Sequence, residues 1–298
     1  MNVIEIDNLT KHYRSTRALD RATWSLPRGR LLGFLGPNGA GKTTTIRILL
    51  GFLRATCGRA TIFGLDTWSR SAEIRGRLGY LAGDVQLYRQ LTGRQILEYV
   101  ANARGMRDPL EANRLAQVLQ IDLDVRAREC SKGMRQKIGL IAAMMHRPEL
   151  LILDEPTASL DPLMQQALYR ELRAAVARGA TVLFSSHSLS EVEALCQDVV
   201  ILRAGRVVAS QRIDALRRQA GKRVHLRFAS GSSSRPKSPD AFTEERYQNG
   251  SLVGLWRGST EELMRWLAGL AVEDVVIERP DLEDVFLGYY GGAAGNSK

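Results

Sequence analysis

A glycine-rich stretch from Gly36 to Thr44 contains the residue types that can hold a polyphosphate. Its sequence, GPNGAGKTT, places a lysine and a threonine directly after the last glycine. Glycines let the backbone curl so that successive amides point at phosphate oxygens, and a lysine at this position reaches the β- and γ-phosphates. We therefore predict that ATP is bound by all nine residues of this run: Gly36, Pro37, Asn38, Gly39, Ala40, Gly41, Lys42, Thr43 and Thr44.

The segments on either side of this stretch predict the elements that must position it. The apolar run Leu31 to Leu35 predicts a buried strand, and Thr43 to Leu50 predicts a helix. In a strand–loop–helix unit the helix N-terminus adds about half a positive charge beside the phosphates. A glycine-rich turn that matched the pattern by chance would lack this context, so we favour phosphate binding.

Two acidic residues follow a second apolar run. In the sequence LLILDEP, Asp154 and Glu155 come directly after Leu150 to Leu153. The carboxyl ends of buried strands form the edge at which sheets of this class bind ligands. We predict that Asp154 binds Mg²⁺ together with Thr43, and that Glu155 polarises an attacking water. Standing alone, the two acids would more simply cap a strand end, and their position after a phosphate loop favours catalysis.

Taken in chain order, these motifs resemble the ATP-binding cassette (ABC) ATPases over about Val3 to Ala209. Cys130-Ser-Lys-Gly-Met134 resembles the signature sequence of that family, and Ser159-Leu-Asp161 resembles the loop that contacts a second subunit. His187 resembles the switch histidine near the γ-phosphate. Tyr13 resembles the aromatic residue that stacks on adenine. Each match is weak alone, and their order makes the set specific.

The resemblance implies ATP hydrolysis by paired chains. In that family two subunits join head to tail, so the signature of one closes over the nucleotide held by the other. Ser131 and Gly133 would then bind the nucleotide, while Lys42, Glu155 and His187 would be catalytic. The resemblance also implies a homodimer or a paired ABC subunit, peripheral to the cytoplasmic face of the inner membrane through an integral membrane permease.

Some positions depart from the family pattern. The signature has Lys132 and Met134 where glycine and glutamine are common. The family also usually has a glutamine after the strand that follows the first helix, where this chain has Gly83. Glycine has no side chain to reach Mg²⁺ or the attacking water. Gln86 follows shortly after, and its spacing argues against counting it as a site residue.

The apolar pattern divides the chain into two domains. Residues 1–213 alternate apolar runs with helical stretches, which predicts an α/β domain with a parallel-rich sheet flanked by helices. The phosphate loop and the family resemblance imply that this domain has a P-loop NTPase core. Residues from about 71 to 147 predict an inserted helical subdomain. One amphipathic face within it is predicted from four apolar residues at helical spacing: Ile138, Ile141, Ala142 and Met145.

Residues 214–298 predict a small α+β accessory domain with a flexible tail. Its predicted strands and helices cover 224–228, 252–256, 259–270, 272–278 and 281–290. Ser259 and Glu262 have the spacing of a capping box at a helix start. Pro280 to Gly288 resembles the end of cassette ATPases from bacterial systems that export drugs, lipids or polysaccharides. Structural and regulatory roles, or contact of its basic stretch with lipid headgroups, all stay open for this domain.

Composition narrows the classes of function. The longest apolar stretch, Ile138 to Met145, is far shorter than the ~20 residues that a helix needs to cross a bilayer. The N-terminus lacks the basic and apolar pattern of a signal peptide, so we expect a cytosolic chain. The three cysteines form no C-x-x-C pair, which predicts reduced thiols and no metal cluster.

The net charge of +10 leaves an alternative function open. A basic surface can bind nucleic acid, and some ABC ATPases act on nucleic acid or ribosomes without transporting anything. We expect transport and no nucleic-acid partner, since the interval between Lys42 and Ser131 is too short for the long coiled coils of chromosome-maintenance ATPases. Translation-type relatives usually carry two cassettes, and this chain carries one.

Overall fold

The computed structural model describes residues 1–14, 16–106, 110–228, 238–248 and 250–278, except for the side chains of 218–220. The chain divides into two units, Met1–Gln211 and Arg212–Lys298. The sequence placed this boundary slightly later, after residue 213. The predicted last helix, the export-like segment Pro280 to Gly288 and the tail lie outside the described residues.

Strands and helices alternate along most of the first unit, as its apolar pattern predicts. In the described residues they are β1 Asn2–Tyr13, β2 Thr16–Pro27, β3 Leu31–Leu35, α1 Lys42–Leu49, β4 Cys57–Ile62, β5 Leu65–Asp66, α2 Ser71–Arg77, β6 Leu78–Leu81, α3 Gly93–Ala103, α4 Leu110–Val118, α5 Lys132–Met144, β7 Leu150–Asp154, α6 Pro162–Ala177, β8 Thr181–Ser186, α7 Leu189–Leu195, β9 Asp198–Arg203 and β10 Arg206–Arg212.

A six-stranded sheet in the order β10-β9-β3-β8-β7-β6 forms the centre of the first unit. Strands β3, β7 and β8 are buried at every position, as expected for strands covered on both faces. From β9 across to β6 each strand pairs with its neighbour in parallel. The carboxyl ends of these strands therefore meet at one edge, and the predicted parallel-rich α/β fold is confirmed.

A second, antiparallel sheet in the order β2-β1-β4-β5 belongs to the same unit. It was not part of the sequence prediction. Its buried residues share one apolar core with α1 and the six-stranded sheet. In this core the ring centroids of Trp24 and Phe34 are 5.2 Å apart. Burial on one face only gives these strands an alternating pattern.

The interval from 71 to 147 is not wholly helical. Strand β6 lies inside it and pairs with β7 in the six-stranded sheet, so the helical part begins after residue 81. Helices α3, α4 and α5 make up the rest. On the predicted face of α5, Ile138 and Ile141 are fully buried, while Ala142 is only half-buried. Among the described helices, none has the length and apolarity needed to span a bilayer.

The second unit is an antiparallel sheet with two described helices. Its elements are α8 Ile213–Ala220, β11 Lys222–Phe228, β12 Phe242–Gln248, β13 Ser251–Trp256, α9 Thr260–Ala268 and β14 Val272–Glu278. The sheet order is β12-β13-β11-β14. The predicted capping box is confirmed, because Ser259 accepts a bond from the Glu262 amide and Glu262 accepts one from the Ser259 amide. Leu263 and Trp256 lie in the core between α9 and the sheet.

Candidate nucleotide site

The glycine-rich loop runs from the end of β3 to the start of α1. Helix α1 begins at Lys42, so its free amides face the loop. Gly41 precedes the helix at a φ of 109°, and a Cβ there would lie 2.7 Å from the Ala18 carbonyl oxygen. Gly39 also has a positive φ, of 80°. Only glycine adopts this backbone path without strain, which explains the residue type at both positions.

The ammonium group of Lys42 lies inside this loop. The side chain is 6% exposed, and its Nζ donates to the carbonyl oxygens of Gly36 and, at 3.4 Å, Pro37. The same Nζ lies 3.4 Å from Oε1 of Glu155. A cation is thus held between the loop backbone and an acid at the end of β7.

Asp154 ends β7 and is buried. Its Oδ1 accepts a bond from the Ser185 hydroxyl at 2.9 Å, and its Oδ2 accepts one from the Thr43 hydroxyl at 3.3 Å. Burial raises the pKa of this carboxyl, and the hydrogen bonds from Ser185 and Thr43 oppose that rise. A hydroxyl and a carboxylate are the hard oxygen ligands that Mg²⁺ prefers, so this pair fits that ion.

Glu155 follows at a φ of 48°, in the left-handed region that non-glycine residues seldom adopt. Its Oε2 lies 2.7 Å from Nδ1 of His187, at the end of β8. Since β7 and β8 are parallel neighbours, their carboxyl ends bring the acid and the histidine together. The sequence predicted Lys42, Thr43, Asp154, Glu155 and His187 separately, and the structure gathers them at one sheet edge.

A cleft of about 610 Å³ opens between the loop and the acids. Sequence reasoning missed several of the residues that line it: Ala18, Arg47, Tyr80, Ala82 and Asp84. It also missed Ser185, although the run of polar residues at the end of β8 was a usable signal. These side chains come from several elements, so no single motif marks them.

Gly83 lines the cleft. A Cβ on Gly83 would lie 3.6 Å from the Asp154 carboxylate, so a longer side chain there would reach the acid. Gln86 instead donates to Oδ2 of Asp84 at 2.7 Å. In the structure Gln86 therefore does not replace the missing glutamine at the acid.

Five predicted nucleotide-binding residues are not among the described residues that line the cleft: Gly36 and Ala40 of the loop, and Tyr13, Ser131 and Gly133. Tyr13 ends β1 with 41% of its surface exposed, and Nζ of Lys11 lies 5.4 Å from its ring centre. Ser131 caps α5 by accepting a bond from the Met134 amide at 3.2 Å. Gly133 lies in the first turn of the same helix.

Comparison with known proteins identifies relatives along nearly the whole chain. A family model described as ABC transporter matches residues 19–158. The daunorubicin resistance ATP-binding protein DrrA2 of Streptomyces coeruleorubidus is 33% identical over 99% of this chain and 97% of its own length. The bacitracin transport ATP-binding protein BcrA of Bacillus licheniformis is 31% identical over 97% of this chain and 98% of its own length.

The fold has a solved counterpart. A structure of the ATP-binding subunit of an ABC transporter has a TM-score of 0.68 and 33% sequence identity. The alignment covers 73% of this chain and 92% of the solved chain. The similarity to the two relatives extends further, over both units of this chain.

Proposed function

The chain belongs to the ABC transporter family, and on this premise we propose that it is the ATP-hydrolysing subunit that powers export through a separate membrane permease. One observation carries the proposal. A buried ammonium group, a threonine hydroxyl, two carboxylates and a histidine converge beside the N-terminus of α1, at the carboxyl edge of the parallel strands. Open α/β sheets bind their ligands at this edge.

The residues divide the chemistry between them. The loop amides and Lys42 hold the β- and γ-phosphates, and Lys42 leaves its bonds to the loop carbonyls to do so. Thr43 and Asp154 hold Mg²⁺, which neutralises charge on the phosphates when it is bound. Glu155 orients the attacking water and accepts its proton. His187 fixes the Glu155 carboxylate through Oε2.

A second subunit completes the site in this proposal. The described residues lining the cleft include neither Ser131 nor Gly133, although the family signature contacts nucleotide. Ser131 is exposed at the N-terminus of α5, where amides and the helix dipole favour an anion. We assign these residues to the nucleotide of a partner copy, so that two chains form two complete sites.

The cargo and the location are argued from the relatives. One relative is named for daunorubicin resistance and the other for bacitracin transport. Both names favour the handling of an antibiotic over the lipid and polysaccharide alternatives. The chain would then lie at the cytoplasmic face of the inner membrane, held there by its permease.

Purification with a bound partner tests transport against the nucleic-acid alternative. A tagged Glu155→Gln chain, purified with ATP from detergent-solubilised membranes, is expected to retain a protein with several membrane-spanning helices. Mass spectrometry would identify it, and a permease gene beside this one would support the pairing. Recovery of ribosomal proteins or nucleic acid in its place would contradict the export proposal.

A further inference from the structure

Gln136 is a buried polar residue on α5 that none of the motifs explains. It is 3% exposed, and its Nε2 donates to the carbonyl oxygens of Pro156 at 3.1 Å and Glu155 at 3.3 Å. Carbonyl oxygens only accept hydrogen bonds, so the amide nitrogen must face them. Gln136 therefore connects α5 to the backbone that follows β7.

The backbone that Gln136 holds is the one that aims the proposed catalytic acid. Glu155 has a φ of 48°, a left-handed conformation that is strained for a non-glycine residue and persists only when its surroundings enforce it. The Glu155 amide donates to the Ser185 carbonyl at 3.2 Å, and its carbonyl accepts from Gln136. The amide of Glu155 is thus held by β8, and its carbonyl is held by Gln136 of α5 together with the Ala158 amide at 3.3 Å.

A second contact ties the start of α5 to the same segment. A Cβ on Gly133 would lie 2.6 Å from the Ser159 carbonyl oxygen, so the first turn of α5 lies directly against the loop after Glu155. Ser131 caps this turn. Two contacts, at Gly133 and Gln136, therefore hold the beginning of the helix and the acid in one fixed arrangement.

We propose that Gln136 is a positioning residue for ATP hydrolysis. Its amide holds the strained backbone of Glu155 so that the carboxylate stays between Lys42 and His187, and it links that geometry to the helix that Ser131 caps. The inference rests on the proposed function, because it needs Glu155 to be the residue that activates water. The hydrogen bonds of Gln136 reach the backbone carbonyls of Glu155 and Pro156.

Steady-state kinetics of a Gln136→Met variant tests this role. Methionine has nearly the same length and cannot donate, so kcat is expected to fall about 10- to 100-fold while KM for ATP stays unchanged, because a displaced catalytic group slows chemistry. The matched control is Gln165→Met. Gln165 Nε2 donates to the Leu160 carbonyl at 3.2 Å, farther along the same loop, and its loss should leave kcat unchanged.

A double-mutant cycle separates action through Glu155 from a general defect. In a Glu155→Gln background, Gln136→Met is expected to cause little further loss of the residual rate. An equal fold-loss in both backgrounds would overturn the inference, as would an unchanged kcat in Gln136→Met alone. If the methionine variant does not fold, Gln136→Asn keeps the amide on a shorter side chain, and the same split between kcat and KM is expected.

The two proposals fail in different ways. A wild-type chain that neither binds nor hydrolyses ATP would remove the proposed function. A wild-type chain that hydrolyses ATP while the Gln136 variants keep full kcat would remove only the positioning role.

Discussion

Glu155 has a backbone conformation that few non-glycine residues adopt, and its carboxylate lies between a lysine and a histidine. Replacing it by glutamine keeps the shape and removes the charge and the basicity. We expect Glu155→Gln to bind ATP normally and to lose turnover by roughly 10²- to 10⁴-fold, the usual contribution of a general base. Retention of radiolabelled ATP measures binding, and an ATPase assay with the same nucleotide measures turnover.

The control for that substitution is another acid in the same cleft. Asp84 lines the cleft, and its Oδ2 accepts a bond from Gln86. Asp84→Asn is expected to keep most of the turnover, because no role in the chemistry is assigned to it. Near wild-type turnover in Glu155→Gln would contradict the assignment of this residue.

Sequence alone identified the residues whose type is tied to a local pattern. Lys42 and Thr43 follow a glycine-rich loop, and Asp154 and Glu155 follow an apolar run, so short-range spacing was enough. Gln136 could not be found this way. Its importance depends on two carbonyl groups that α5 reaches only after folding. Most glutamines are exposed to solvent, so a glutamine in a helical pattern does not indicate a buried role.

Arginine–carboxylate pairs join the helices α4 and α6 to the segment that follows α5. Arg114 donates to Glu111 at 2.8 Å and to Glu171 at 2.6 Å. Arg147 donates to the second oxygen of Glu111 at 2.8 Å. The hydrogen bond from Arg114, with the one from Arg147, lowers the pKa of Glu111 from its ordinary 4.5 to about 2.

This network predicts a pH-dependent part of the stability. Because the folded-state pKa of Glu111 is lowered, its contribution is fully present above pH 4.5 and is lost as the pH falls through about 2. From pH 6 to pH 3, the free energy of unfolding measured in urea should fall further for the wild type than for Glu111→Gln. Glu73→Gln, in an exposed pair with Arg70, serves as control. Equal losses in wild type and Glu111→Gln would contradict the prediction.

The elements themselves were predictable to different degrees. Strands β3, β7 and β8 are continuous apolar runs, and a pattern of that kind marks a strand covered on both faces. Strand β6 has four residues and follows α2 without an intervening turn. The local pattern therefore predicted it as part of the helical subdomain. Its place was settled by pairing with β7, which is a tertiary contact.

For the whole molecule, we expect an ATP-dependent dimer. Glu155→Gln with ATP should shift from monomer to dimer in light scattering, because the nucleotide bridges two chains and is not hydrolysed. The double variant that combines Glu155→Gln with Ser131→Asp should remain monomeric in the presence of ATP. Aspartate is a good N-cap, so α5 keeps its capping bond. The negative charge of the new side chain would face the phosphates of the partner's nucleotide and repel them.

The neutral counterpart separates charge from shape. Ser131→Asn also preserves the cap and adds similar bulk, so it should dimerise better than Ser131→Asp. Dimers of equal stability in both variants would contradict the position assigned to the signature residues.

Equilibrium binding of Mg-ATP to the purified chain, measured by calorimetry, tests whether this cleft is a nucleotide site. The wild type is expected to bind ATP, and Lys42→Met is expected to bind it roughly 10-fold more weakly or worse, since a charge-assisted contact to the phosphates is lost. Absence of binding by the wild type, or equal affinity of the two chains, would contradict the nucleotide site and the motor function built on it.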